Sequence, residues 1–252
     1  MQPTQEASAE NRSERPLGHA VALVTGSSRG IGRAIAARLA ALGAAVAICG
    51  RDSETLNQAS AELTKFGARV FAHVADVTLR ADVEALVAKT EAALGPVSIV
   101  VNNAGIGVFG PTHEKSEEDW DKVINTNLKS MFLMSKAVVP AMIARNGGDI
   151  VNISSLAGLN AFAGGGIYCA SKWGVQGLSA CMAEDLRTYG IRVSTVCPGS
   201  VATEFSGSGP KDASKVLSAN DVAHAVEMIV TQGPRSFVSQ VQIRPLSKPA
   251  KS

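Results

Sequence analysis

The chain is predicted to fold as an α/β protein: a doubly wound, parallel, seven-stranded sheet with helices on both faces, in three αβα layers. Three observations carry this. Short apolar runs alternate with stretches of helical period, one βα unit about every 25–30 residues. Most of the runs are apolar almost without interruption, as strands buried on both faces should be, and do not alternate polar with apolar. The composition agrees: 46% of the 252 residues are hydrophobic, 24 are glycine, and 18% are charged, below the usual ~25%. That balance suits a large buried sheet and excludes a disordered chain.

The first run, AVALVT (20–25), feeds a glycine-rich turn and a helix over 30–42. AAVAIC (44–49) is the second strand, followed by a helix over 53–66. ARVFAHV (68–74) leads to a helix over 79–94, and VSIVV (97–101) leads to a long helix over 117–145. DIVNIS (149–154) is the fifth strand, before a helix over 166–189. IRVSTVC (191–197) is the sixth. A helix over 219–231 begins at Asn220–Asp221, residues suited to an N-cap, and FVSQVQI (237–243) closes the sheet. Residues 1–18 are polar with no apolar stretch and read as a flexible tail, not a secretory signal. Residues 19–246 form one domain and 247–252 a short C-terminal tail. The Gly/Ser/Lys-rich segment 206–215 interrupts the pattern after the sixth strand; a lid and an ordinary solvated loop are both open readings.

Composition also limits the partners. Lys plus Arg number 24 and Asp plus Glu 22, a net charge of +2, so no strong field draws nucleic acid or an acidic membrane surface. No apolar run reaches the ~18 residues of a membrane span. The four cysteines, Cys49, Cys169, Cys181 and Cys197, form no CxxC pair, and there are four histidines. A zinc site is not expected, and the reducing cytoplasm is the simplest compartment.

The turn Thr25-Gly26-Ser27-Ser28-Arg29-Gly30-Ile31-Gly32 joins the first strand to the first helix. Glycines there let the backbone turn tightly and approach a pyrophosphate, while the helix N-terminus offers free N–H groups and the positive end of its dipole. The second strand ends Gly50-Arg51-Asp52. An acid at this point binds the ribose 2′-OH of NAD, whereas arginine suits the 2′-phosphate of NADP. Arg51 comes first and Arg29 lies in the neighbouring turn, which favours NADP(H); Asp52 can pair with Arg51 or cap the next helix. On the same rim, Asp76 and Val77 end the third strand, where Asp76 can lie beside the adenine or cap a helix. Asn102-Asn103-Ala104-Gly105 ends the fourth, with side chains small enough for close approach to a flat ligand.

Tyr168 and Lys172 stand four apart on one helical face. An ammonium beside a phenol favours the phenolate, lowering the tyrosine pKa so that it can exchange a proton with a carbonyl oxygen. Ser154 and Ser155 end the fifth strand, where a hydroxyl can hold a substrate carbonyl or satisfy local backbone. Asn127 is a polar residue in a buried stretch, placed to hold a water beside Lys172 or simply to bond backbone.

TGSSRGIG (25–32), NNAG (102–105), NTNL (125–128), Ser154–Ser155, YCASK (168–172) and PGSVAT (198–203) stand in the order and spacing of the short-chain dehydrogenase/reductase superfamily. The chain resembles that superfamily over about residues 19–243, and within it the 3-oxoacyl-carrier-protein reductases and related NADPH carbonyl reductases. The resemblance implies a Rossmann-type fold and a catalytic set of Asn127, Ser155, Tyr168 and Lys172. Tyr168 would be the general acid/base, Ser155 would orient the carbonyl, Lys172 would bind the nicotinamide ribose, and Asn127 would support a relay water.

The cofactor would lie along Gly26, Ser28, Arg29, Gly30, Ile31, Gly32, Arg51, Asp76, Val77, Asn103, Ala104 and Gly105. Beyond these, Tyr168, Lys172, Pro198, Gly199, Val201 and Thr203 would complete the cofactor set, with Asn103 and the 198–203 segment flanking the nicotinamide.

The implied reaction is NADPH-dependent reduction of a ketone or 3-oxoacyl thioester to a secondary alcohol. The implied assembly is a homotetramer packed through the helices around 117–145 and 166–189. One departure stands out: Gln242-Ile243-Arg244-Pro245-Leu246 replaces the Gly-Gly-containing C-terminal segment of the fatty-acid group. This ending is more like reductases of small hydroxy acids, diketones or xenobiotic carbonyls, and leaves a dimer possible. Phe109, Leu156, Leu159, Phe162 and Phe205 are expected to wall the substrate pocket. A non-catalytic NADPH-binding regulator on the same fold is the competing class.

Overall fold

The computed structural model describes residues 15–203, 205 and 215–247. Its strands are β1 (Val21–Val24), β2 (Ala45–Gly50), β3 (Val70–Val74), β4 (Ile99–Asn102), β5 (Gly148–Ile153), β6 (Ile191–Pro198) and β7 (Gln240–Ile243). They pair in the order β3-β2-β1-β4-β5-β6-β7, every pair parallel. The helices are α1 (Gly30–Ala41), α2 (Ser53–Thr64), α3 (Arg80–Leu94), α4 (Glu117–Ile124), α5 (Ser130–Ala144), α6 (Gly166–Leu186) and α7 (Ala219–Val230).

Both faces of the sheet are covered. Ile35 and Leu39 of α1, Leu56 and Leu63 of α2, and Val226 and Ile229 of α7 pack one core against Val24, Val46 and Val196. The other core joins Val83 and Leu86 of α3 with Met134 and Val138 of α5, Ala183 and Leu186 of α6, and Leu23, Val100 and Val193. Strand order reverses between β1 and β4, so the carboxyl ends of these two strands open a crevice, where such sheets bind ligands.

Several local expectations are corrected. The boundary at residue 18 is too late: Leu17 is 5% exposed, and its N–H bonds Leu42 O at 3.1 Å. A polar run had masked one core leucine. Residues 1–14 of the expected N-terminal tail, 206–214 of the loop and 248–252 at the C-terminus lie outside the described residues. The expected single helix over 117–145 is α4 and α5 joined by a π-helical turn, Asn125–Lys129. The cap expected at Asn220–Asp221 is Ser218. Its hydroxyl accepts from Asp221 N–H, and the Asp221 carboxylate accepts from Ser218 N–H, a reciprocal capping box that moves the helix start earlier. At the sheet edge, β7 is only the last four residues of the run at 237–243.

Candidate active site

The glycine turn is built by close approach. Gly26 and Gly30 have φ of +61° and +57°, a region where a side chain is strained. A Cβ on Gly32 would lie 2.4 Å from Gly26 O and from Asn103 Nδ2. Thr25, just past β1, and Asn103, just past β4, brace the turn. Thr25 Oγ1 accepts from the N–H groups of Asn103 and Ala104 at 2.9 and 3.0 Å. Asn103 Nδ2 donates to Thr25 O and Gly26 O at 2.9 and 3.0 Å. Ser27 ties the turn to β2, its hydroxyl accepting from Cys49 N–H at 3.0 Å. Asn103, which the resemblance implies beside the nicotinamide, has its amide turned to the glycine turn.

The ends of β2 and β3 decide the two helix-cap readings. Asp52 caps α2, its carboxylate accepting from Thr55 N–H at 2.8 Å, and that bond holds its pKa below the usual carboxylate value. Arg51 is exposed. Asp76 is not a helix cap, since Leu79 precedes α3. Its Oδ1 accepts from Thr78 N–H and Oγ1 at 2.9 and 2.8 Å, a tight turn that fixes Val77, which is buried. Ser28 lies against Gly50, its Oγ 3.1 Å from where a Cβ would stand. Thr203 closes over the turn, its Cγ2 being 3.6 Å from the Cβ position of Gly30. β6 hands the chain to this cover through Pro198 and Gly199, whose N–H bonds Ile243 O at 2.8 Å, and Val201 bridges Leu217.

The residues expected to be catalytic come together beside this cradle. Tyr168 and Lys172 are on α6, 9% and 3% exposed. Lys172 Nζ donates to Ile153 O at 2.9 Å and lies 5.9 Å from the Tyr168 ring centre. Burial pushes the Lys172 pKa down to about 8. Burial pushes Tyr168 up to about 12, opposed by the hydroxyl of Ser155. The expected lowering of the tyrosine pKa by the lysine is therefore reversed here. Tyr168 is covered edge-on by Phe109 and Phe205, ring centres 5.4 and 5.9 Å away, and loss of water outweighs an ammonium held against a carbonyl. Ser155 Oγ accepts from Ala157 N–H at 3.1 Å, which leaves its own proton free to donate.

Asn127 sits in the π-helical turn, fully buried. Its Oδ1 accepts from Ile106 N–H at 2.8 Å, and Nδ2 donates to Ile106 O and Ser171 Oγ at 2.9 and 3.0 Å. The side chain is committed to backbone and to α6, so it shapes the loop that carries Gly105. Lys172 Nζ and Asn127 Oδ1 lie 3.7 and 3.3 Å from where a Cβ on Gly105 would stand.

Of the expected wall, Phe109 and Phe205, 39% and 42% exposed, stand edge-on to Tyr168, and Phe162, 49% exposed, meets Phe109 with ring centres 6.2 Å apart. Leu156 packs instead over Gly199. Gly110 N–H bonds Gly164 O at 2.8 Å, pinning the loop of Phe109 to the loop of Phe162. Residues the sequence reading did not assign include Thr25, Ser27, Ser171 and Gln176. A buried hydroxyl at the end of an apolar strand is the signal that marks Thr25.

Among the described residues, no helix is long and apolar enough to cross a membrane, and no cluster of His, Cys, Asp and Glu is placed to hold a metal ion. The family model described as short chain dehydrogenase matches residues 20–213. A Streptomyces violaceoruber protein, provisionally named ketoacyl reductase 1 of the granaticin polyketide synthase, is 47% identical over 74% of this chain and 69% of its own. The NADP-dependent 3-hydroxy acid dehydrogenase of Salmonella typhi is 35% identical over 90% of this chain and 96% of its own. A metagenomic short-chain oxidoreductase solved with NADP is similar at TM-score 0.82 and 42% identity, covering 92% and 99% of the two chains. Levodione reductase is similar at TM-score 0.83 and 31% identity, covering 89% and 96%.

Proposed function

The chain belongs to the short-chain dehydrogenase family, and from that premise we propose that it reduces a ketone to a secondary alcohol with NADPH. The observation that carries the reading is the convergence of Tyr168, Ser155 and Lys172 on the rim that also bears the glycine cradle. The cradle fits a dinucleotide: Gly26, Gly30 and Gly32 leave the backbone bare where side chains would collide or strain. Arg51 and Arg29 would meet the 2′-phosphate. When bound, the cofactor supplies the hydride.

The residues of the chain do the rest. With its pKa near 12, Tyr168 holds its proton at neutral pH, the form needed to protonate a carbonyl oxygen during reduction. Ser155 donates to the same oxygen and orients it. Lys172, charged below about pH 8, holds the ribose and keeps positive potential behind the phenol. Asn127 fixes the loop through Ile106.

Phe109, Phe162 and Phe205 present apolar rings to the substrate, which supports a compact apolar ketone. The ketoacyl reductase relative supports a 3-oxoacyl thioester. Exposed Trp120, Phe132 and Trp173, at 45%, 46% and 53%, lie on α4, α5 and α6 and support a homo-oligomer, tetramer or dimer, joined through those helices. Four free cysteines fit a cytoplasmic location.

The test is NADPH and NADH oxidation with an acetoacetyl thioester, a 2,3-diketone and an aryl ketone. Tyr168→Phe should bind NADPH as before and lose turnover by about 10²–10⁴-fold. A fully active Tyr168→Phe refutes the assignment, and NADPH binding without turnover on any ketone favours the regulator.

A further inference from the structure

We propose that Gln176 is a positioning residue for this reaction, holding the turn of α6 that carries Lys172 in register with the strand end that carries Ser155. The inference rests on the roles given above to Tyr168, Lys172 and Ser155. Tyr168, Lys172 and Gln176 are spaced by four residues on α6, so they share one face. The amide of Gln176 joins the ends of three neighbouring strands. Its Nε2 donates to Ser154 Oγ at 3.1 Å, just past β5, and to Cys197 Sγ at 2.9 Å on β6. Its Oε1 accepts from Gln240 Nε2 at 3.0 Å on β7.

The bonds then close on the lysine. Ser154 Oγ donates to Lys172 O at 3.2 Å, and Lys172 Nζ donates to Ile153 O at 2.9 Å. Helix and strand end therefore grip each other in both directions, immediately before Ser155. Gln176 is the side chain that fixes the Ser154 hydroxyl from the far side. Ser154, Lys172 and Cys197 are 3%, 3% and 0% exposed, so water cannot readily replace a lost donor. Gln176 is half-buried and belongs to neither apolar core. Its loss should therefore loosen the site more than the fold.

The experiment compares Gln176→Leu and Gln176→Glu with the wild type on a ketone that the wild type reduces, with NADPH affinity read by fluorescence titration. Gln176→Leu should lower kcat on the order of tenfold, since displacements near 1 Å can lower rates about 10²-fold, with NADPH Kd and ketone KM within twofold. A purely structural role would move Kd, KM and Tm together. Gln176→Glu keeps the shape and the bond from Gln240 but presents oxygen to Ser154 and Cys197, and should lose kcat similarly. Wild-type kcat in either variant overturns the proposal. If Gln176→Leu does not fold, Gln240→Ala removes the exposed partner that orients the amide. A kcat lowered about two- to fivefold, on the same positional argument, supports the proposal, and an unchanged kcat overturns it. Tyr168→Phe run alongside separates the failures. If it is inactive while Gln176→Leu is normal, only the positioning role falls; if it is active, the underlying assignment falls.

Discussion

Gly32→Ala should damage the cofactor cradle. The new Cβ would stand 2.4 Å from both Asn103 Nδ2 and Gly26 O, whereas unstrained carbon contacts lie near ~3.5 Å or beyond, so these atoms must separate by about 1 Å. The Asn103 amide can swing aside only by releasing Thr25 O and Gly26 O, at about 0.5–1.5 kcal/mol for each hydrogen bond. Gly26 O has less freedom. It belongs to a turn whose α-carbon is already packed on Ala104, a Cβ on Gly26 being 2.9 Å from Ala104 Cα. Overpacking of this kind costs about 1–3 kcal/mol.

Together these give about 2–6 kcal/mol, or a fall in Tm of roughly 4–24 °C for a chain of this size. A displaced turn also loses at least one charge-assisted contact to phosphate, about 1.5–3 kcal/mol, which weakens NADPH binding about 10- to 150-fold. Thermal melts with and without NADPH, together with a fluorescence titration, measure both. Gly233→Ala is the control, since nothing lies within 4 Å of its Cβ position. A Gly32→Ala protein with wild-type Tm and NADPH affinity would refute the account of the turn.

Other consequences are open to direct measurement. Arg51→Ala should raise KM for NADPH by ~10-fold or more, as for a lost charge-assisted phosphate contact, and leave that for NADH nearly unchanged; equal effects would count against the phosphate role. In ketone reduction, kcat should hold through neutral pH and decline as Lys172 loses its proton near pH 8, Tyr168 remaining protonated. A profile flat to pH 10 would contradict this. The stability effect has the opposite sign. The folded pKa of Lys172, about 8, lies below its ordinary 10.5, so between these values the unfolded chain binds more protons and this residue's contribution rises with pH. Comparing melts of wild type and Lys172→Met from pH 7 to 10 should show the wild type gaining stability relative to the variant as pH rises. Phe109→Ala should raise KM for an aryl ketone about 2- to 12-fold, from the ~0.5–1.5 kcal/mol of one aromatic pair, without altering NADPH affinity; an unchanged KM would remove Phe109 from the pocket wall.

The sequence by itself determined the layered fold and the rim that would carry the chemistry. Runs such as AVALVT and IRVSTVC are too uniformly apolar for anything but strands covered on both faces, and the glycines from 26 to 32 mark a backbone that must turn closely. The spacing of Tyr168 and Lys172 likewise needs only helical geometry to put them on one face. What tertiary structure decided was the environment of these groups. Burial of Tyr168 depends on Phe109 and Phe205, distant along the chain, so its raised pKa could not be read from a lysine four residues away. Asn103 and Asn127 have several possible partners as sequence; the fold presents Gly26 O to one and the backbone of Ile106 to the other. Gln176 joins Ser154, Cys197 and Gln240, contacts that exist only once β5, β6 and β7 lie side by side. Local periodicity and backbone sterics act between near neighbours and are written in the chain order, whereas desolvation and hydrogen-bond choice depend on whatever folding brings near.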